Sequence, residues 1–183
     1  MESKVLALIA SFIAMSFVVV SYFVRKKELY LLFQFLCIIF LIISYFFSVE
    51  FFAMVGLIIA LFRTLTFYLY EKRGVLAPIV WPIIFTVLSL ASYFIINLWI
   101  LNTVKPVDIL FLIGLILYAF IFRIRDLKIV RFSMLAPTGL SIAYNVLANA
   151  PIFAVLSYTF ELSANILSII KYHVIKPKQK TLE

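Results

Sequence analysis

The sequence predicts an all-α polytopic membrane protein with seven transmembrane helices. Of its 183 residues, 66% are hydrophobic and 13% are charged, and the mean hydropathy is +1.20. These values lie far outside the usage of soluble globular proteins. A bilayer core about 30 Å thick needs roughly 20 apolar residues per helix, so the chain has room for seven spans and short connections. The apolar segments lack the polar alternation of barrel strands, which leaves helices as the spanning element.

Charged clusters divide the chain into seven apolar segments. We predict helices at approximately 5–24, 29–48, 51–70, 75–99, 106–122, 128–148 and 151–170. The opening "MESK" runs into the first segment without a small-residue cleavage site, which predicts a retained span rather than a signal peptide.

The distribution of Lys and Arg predicts the orientation. Thirteen of the 16 basic residues lie in the connections after helices 1, 3 and 5 and in the C-terminal tail. The opposite side carries Lys4 and Lys105, and Arg63 lies within helix 3. The thirteen are Arg25, Lys26, Lys27, Lys72, Arg73, Arg123, Arg125, Lys128, Arg131, Lys171, Lys176, Lys178 and Lys180. Because basic residues favour the cytoplasmic side, we expect the N-terminus outside and the C-terminus in the cytoplasm. We also expect the basic loops and tail to contact anionic lipids.

We predict that the helices are arranged as three, one and three. When the sequence is aligned with itself at an offset of 99 residues, helices 1–3 align with helices 5–7 and "VRKKE" aligns with "RIRDL". Helix 4 has no counterpart in this alignment. Two three-helix units of the same orientation need one extra crossing between them, an arrangement known from transporters. We therefore predict a first bundle at 1–73, a linker helix at 74–104, a second bundle at 105–173 and a basic tail at 174–183.

Two long stretches carry a family resemblance. They are "LLFQFLCIIFLIISYFFSVEFFAMVGLIIALFRTLTFYLYEKRG" and "LSIAYNVLANAPIFAVLSYTFELSANILSIIKYH". With them the chain resembles the bacterial inner-membrane YgjV family and, behind it, the SWEET and PnuC transporter superfold (MtN3/PQ-loop). The resemblance implies a multi-pass protein of the bacterial inner membrane, with two parallel three-helix bundles around a pseudo-two-fold axis along the membrane normal.

The chain also departs from the transporters of that superfold. SWEET-type proteins have hinge prolines in the first two helices of each bundle; here Pro137 in helix 6 is comparable, and no Pro-Gln pair occurs. The resemblance implies a pocket asparagine in the third helix of each bundle. Asn165 fits that position, but its partner 99 residues earlier is Thr66.

Arg63 lies near the middle of "GLIIALFRTLTFYLY". An isolated arginine at that depth costs about 3 kcal/mol on insertion scales, so it normally faces the protein interior and finds a partner. Glu161 lies ten residues before Lys171, and Arg63 lies nine before Lys72. With a rise of about 1.5 Å per residue, both charges are expected within one helical turn of the same depth.

Polar residues recur on one face of several helices. The residues are Ser157, Glu161, Asn165 and Ser168 in helix 7; Thr138, Ser141 and Asn145 in helix 6; Thr86, Ser89 and Tyr93 in helix 4; and Gln34 in helix 2. Because such faces avoid lipid, we expect them to converge on a polar cavity between the bundles. The candidate substrate-binding residues are Arg63, Glu161, Asn165, Asn145, Gln34, Ser141 and Thr66.

Three interpretations of Arg63 stay open: a functional site with Glu161, a purely structural pair, and a side chain that bends toward the cytoplasmic headgroups. One turn before it, Gly56 and Ala60 form a small-xxx-small pair that predicts close helix packing. Trp81, Trp99, Tyr30 and Tyr172 are predicted interface anchors.

The motifs argue against an enzyme. The chain has one His, one Cys and one deep carboxylate, and it lacks G-x-S-x-G, H-E-x-x-H and a P-loop. We expect no metal, no cofactor and no nucleic-acid partner. The leading hypothesis is a small-solute transporter or facilitator in which Arg63 contacts an anion or carboxylate. The alternative is a non-transporting accessory or receptor-like protein that binds a lipid, a small ligand or a membrane partner.

Overall fold

The computed structural model describes residues 2–48, 51–100, 106–148 and 152–174, and every regular element in these ranges is helical. The helices are α1 (Glu2–Phe23), α2 (Lys27–Ser48), α3 (Phe51–Lys72), α4 (Val80–Phe94), α5 (Asp108–Ile121), α6 (Leu127–Leu147) and α7 (Ile152–Ile169). A π-helical segment, Ile95–Ile100, continues α4, and another, Ile170–Val174, continues α7. The predicted all-α fold is confirmed.

Four of the described helical stretches are long and apolar enough to cross a membrane. They are Val5–Phe23, Lys27–Phe47, Ala53–Lys72 and Val80–Leu98. The apolar helix α5 (Asp108–Ile121) is shorter. Large apolar side chains such as Phe12, Phe62 and Val87 are more than half exposed, as expected for surfaces that face lipid rather than water.

Helix α4 begins later than the sequence suggested. Residues 75–78 are not helical, and the helix starts at Val80 rather than near residue 75. Gly74 ends α3 with a φ of 69°, and the bonds from its N–H to Glu71 O and from Val75 N–H to Tyr70 O form a Schellman motif. Pro78 then disfavours helical backbone in the residue before it.

Six helices pack in a closed ring. Each of α1, α2, α3, α5, α6 and α7 packs against the next in that order, and α7 packs against α1; α4 packs against α3 and α5. At the contact of α3 and α5, a Cβ on Gly56 would lie 2.8 Å from Phe111 Cε1 and 3.0 Å from Leu115 Cδ1. This confirms that Gly56 permits close helix packing.

The predicted interface anchors differ in their environments. Tyr30 is fully buried and packs edge-on against Tyr22 and Phe122, with ring centroids 5.5 and 6.2 Å away, so its prediction as an interface anchor is wrong. Trp81 is partly buried and donates from Nε1 to the Tyr70 hydroxyl at 3.1 Å. The side chain of Trp99 lies outside the described residues.

Candidate functional site

A cavity of about 40 Å³ lies among the helices of the ring and is lined from α2, α3, α5, α6 and α7. This volume suffices for a few water molecules. Apolar side chains such as Leu57 and Phe111 form most of its wall. Its polar lining comprises Gln34, Arg63, Tyr118, Ser141, Tyr158 and Glu161. Four predicted site residues therefore meet at one cavity: Gln34, Arg63, Ser141 and Glu161.

Arg63 crosses from α3 to α5. Its side chain is 3% exposed, and one terminal nitrogen donates to the backbone carbonyl of Leu115 at 2.9 Å. The guanidinium carbon lies 5.3 Å from the ring centroid of Tyr118 and 5.2 Å from that of Phe122, within the range of cation–π attraction. The guanidinium therefore does not reach toward the headgroups.

Glu161 lines the same cavity from α7. It is 6% exposed, and its carboxylate accepts a 2.8 Å hydrogen bond from the hydroxyl of Tyr22 on α1. Both Arg63 and Glu161 are fully described, and no guanidinium nitrogen lies within 4.0 Å of a carboxylate oxygen. The two charges share one cavity without forming an ion pair.

Gln34 is buried on α2 and is fixed by a neighbour. Its amide nitrogen donates to Ser21 Oγ at 3.1 Å, and that hydroxyl donates to the carbonyl of Val18 at 2.6 Å. Ser141, on α6, is 1% exposed. These residues add neutral hydrogen-bonding groups to a wall that also holds two charges.

The remaining three candidates lie away from the cavity lining. Asn145 donates to Ser141 O at 2.7 Å and accepts from the Tyr45 hydroxyl at 3.0 Å. Asn165 donates to the carbonyl of Arg131 at 2.8 Å. Both asparagines are fully buried and join helices. Thr66 is partly exposed and bonds to Phe62 O within its own helix.

Sequence reasoning missed several residues of this region. Tyr22 holds the Glu161 carboxylate, and Tyr118 lies beside Arg63 with its hydroxyl 3.3 Å from Thr138 Oγ1. Tyrosines inside long apolar spans were a usable signal, since a buried hydroxyl needs a partner. Arg131 was counted only as a basic loop residue, but it is 3% exposed and donates to Tyr22 O and Val24 O at 3.1 and 2.7 Å.

A family model agrees with the membrane character of these helices. The family model, Imp-YgjV, described as bacterial inner membrane protein, matches residues 5–176. The match covers most of the chain and confirms the resemblance to the YgjV family and the inner-membrane location. No curated protein and no solved structure shows a significant match.

Proposed function

We propose, from the premise that the chain belongs to the Imp-YgjV family of bacterial inner membrane proteins, that this protein transports or facilitates the passage of a small polar solute. The observation that carries this proposal is the unpaired arrangement of Arg63 and Glu161 around one buried cavity. Charged side chains inside a membrane protein are costly to bury, and they commonly mark solute or ion pathways.

The two charges suggest the class of solute. Arg63 keeps Nε without a hydrogen-bond partner among the described residues, and a guanidinium suits a carboxylate or another planar anion. Glu161 accepts one recorded hydrogen bond and can accept others from an ammonium or hydroxyl group. A small zwitterion or a polar acid with a donor at its other end would satisfy both groups.

Transport requires a second conformation, because pockets that bind small molecules usually measure several hundred Å³ and this cavity measures about 40 Å³. We propose that two bundles, α1–α3 and α5–α7, move against each other with α4 as the linker between them. In this arrangement the N-terminus lies outside and the C-terminus lies in the cytoplasm. In support, the 99-residue shift pairs α1 with α5 and α3 with α7. The packing of α1 against α7 therefore corresponds to the packing of α5 against α3. Pro137 inside α6 is a candidate hinge, since it removes a backbone donor.

The small cavity volume favours one other function. A cavity of only about 40 Å³ also suits a non-enzymatic accessory protein whose partner binds its outer surface. In that case the buried charges serve helix association, which in membranes is supported by interhelical hydrogen bonds worth about 1 kcal/mol each.

Uptake by proteoliposomes separates the two functions. The purified chain would be reconstituted and offered radiolabelled zwitterions, monoanions, monocations and neutral sugars of similar size. We expect uptake of a zwitterion or polar acid above empty liposomes, and we expect Arg63→Met and Glu161→Met each to reduce it at least tenfold.

The matched control is Ser163→Ala. Ser163 lies two residues from Glu161, is exposed, and bonds to Thr159 O in its own helix, so uptake should stay within about twofold of the natural chain. Melting temperatures of all variants in detergent separate lost transport from lost folding. The proposed transport function is contradicted if no solute class is taken up, or if uptake persists in both Arg63→Met and Glu161→Met.

A further inference from the structure

We propose that the end of α7 carries a binding site for the phosphate group of an anionic phospholipid, formed by Arg25 and Lys171 around the ring of Tyr172. None of these three residues lines the central cavity, and the site does not depend on transport. It would hold one lipid in place at the contact of α1, α6 and α7.

Three cations surround a single aromatic ring here. The centroid of Tyr172 lies 4.8 Å from the guanidinium carbon of Arg131, 5.3 Å from Lys171 Nζ and 5.9 Å from the guanidinium carbon of Arg25. Lys171 Nζ is also 5.4 Å from the ring centroid of Phe23. An aromatic ring attracts each cation, but it carries no net charge that could neutralise Arg25 or Lys171.

The scaffold of the site is fixed by hydrogen bonds. The Tyr172 hydroxyl donates to Phe23 O at 2.7 Å, and Arg131 donates to Tyr22 O and Val24 O. These carbonyls end α1, where the helix dipole is negative and favours a cation. Arg131 is thus engaged with α1, whereas Arg25 and Lys171 remain at the exposed rim.

The rim has positive charge without a protein counter-charge. Among the residues that the structure describes, Arg25 and Lys171 form no ion pair; the recorded ion pair joins Lys27 to Glu71 at 2.8 Å. Arginine and lysine are the usual partners of phosphate groups, by charge-assisted hydrogen bonds. A phosphate between the two side chains would supply the missing negative charge.

The surroundings favour a lipid phosphate over a free one. Leu167 near the end of α7 and Ile170 in the π-helical segment that continues it precede the site and are 56% and 41% exposed. The site therefore continues directly into an apolar, lipid-facing surface along which an acyl chain can lie. A tyrosine beside a lysine at the end of an apolar span is also typical of headgroup level.

The experiment measures lipid binding to the full chain. The purified protein in a mild detergent would be titrated with phosphatidylglycerol or phosphatidylcholine and its lipid adducts counted by native mass spectrometry. The test variant is the double substitution Arg25→Gln with Lys171→Gln. The matched control is Lys72→Gln with Arg73→Gln, which also removes one lysine and one arginine; there Lys72 Nζ lies 6.0 Å from a single ring, that of Tyr68.

We expect the test variant to bind phosphatidylglycerol at least about tenfold more weakly, from the attraction of each basic residue to an anionic lipid, with phosphatidylcholine unchanged. The control should stay within about twofold, and both variants should melt as the natural chain does. Equal losses in the two variants would overturn the site in favour of diffuse attraction. If millimolar inorganic phosphate occupies the site as strongly as phosphatidylglycerol does, the lipid is overturned as the ligand of this site.

Discussion

The hydroxyl of Tyr22 donates a 2.8 Å hydrogen bond to the carboxylate of Glu161, although 139 residues separate the two in the chain. The bond joins α1 to α7, which pack side by side in the ring. It gives a buried carboxylate a neutral partner and leaves Arg63 bound to the Leu115 carbonyl instead. At Glu161, α1 and α7 are therefore joined by a hydrogen bond and not by an ion pair.

Removing the Tyr22 hydroxyl should destabilise the protein. Tyr22→Phe keeps the ring and its contact with Tyr30 but leaves the Glu161 carboxylate without this donor. We expect a loss of about 2 kcal/mol in the free energy of unfolding, typical of a hydrogen bond to a charged group. This change in the free energy of unfolding is measured by unfolding the protein in mixed detergent micelles. In a Glu161→Met background the same substitution should cost much less; an equal cost there would show that the hydroxyl acts elsewhere.

Arg63 and Glu161 should be coupled more weakly than the two charges of a buried ion pair. They line one cavity, which can couple two residues by about 0.5–3 kcal/mol, but they make no contact within 4.0 Å. A double-mutant cycle of Arg63→Met and Glu161→Met, read by the same unfolding assay, should therefore give a coupling energy in that range. A double variant more stable than either single one would instead reveal a buried ion pair, in which a lone charge costs about 3–5 kcal/mol.

The sequence allowed the cavity to be anticipated because the cost of burying charge in lipid constrains where charge can go. Arg63 and Glu161 were predicted at similar depth from their distances to Lys72 and Lys171, and both line the cavity. The direction in which each side chain points was not predictable. A guanidinium can be satisfied by a backbone carbonyl such as that of Leu115, and periodicity within one helix contains no information about a carbonyl on another.

The same limit explains why Thr66, Tyr30 and Arg131 lie in environments that the sequence does not predict. Thr66 was included through its alignment with Asn165, but its hydroxyl is satisfied by its own helix. Tyr30 and Arg131 lie near span ends, where interfacial or loop positions are the usual expectation. Both are buried because the ends of α1, α2, α5 and α6 meet there, a tertiary fact that no local pattern contains.

Gly56 should be intolerant of even one added carbon. A Cβ at this position would lie 2.8 Å from the ring of Phe111. That ring is buried and packs against the ring of Tyr144, with centroids 4.9 Å apart and planes tilted by 33°. We expect Gly56→Ala to cost about 1–3 kcal/mol through overpacking, measured as a lowered melting temperature in detergent. Gly139→Ala is the control, because a Cβ added there would meet nothing within 4 Å and alanine favours helix. A Gly56→Ala variant as stable as Gly139→Ala would contradict the close contact of α3 and α5.

Arg131 should stabilise the end of α1 more than any exposed cation on the same helix. Its guanidinium donates to Tyr22 O and Val24 O, carbonyls that lack helical partners at a C-terminus. Arg131→Met keeps an apolar stem of similar length but removes those donors, so we expect a loss of about 2–3 kcal/mol. Lys128→Met, an exposed change one turn earlier on α6, should cost under about 0.5 kcal/mol. Hydrogen exchange measured on both variants should show faster exchange in the last turn of α1 for Arg131→Met alone. Faster exchange confined to α6 would mean that Arg131 stabilises its own helix and not the end of α1.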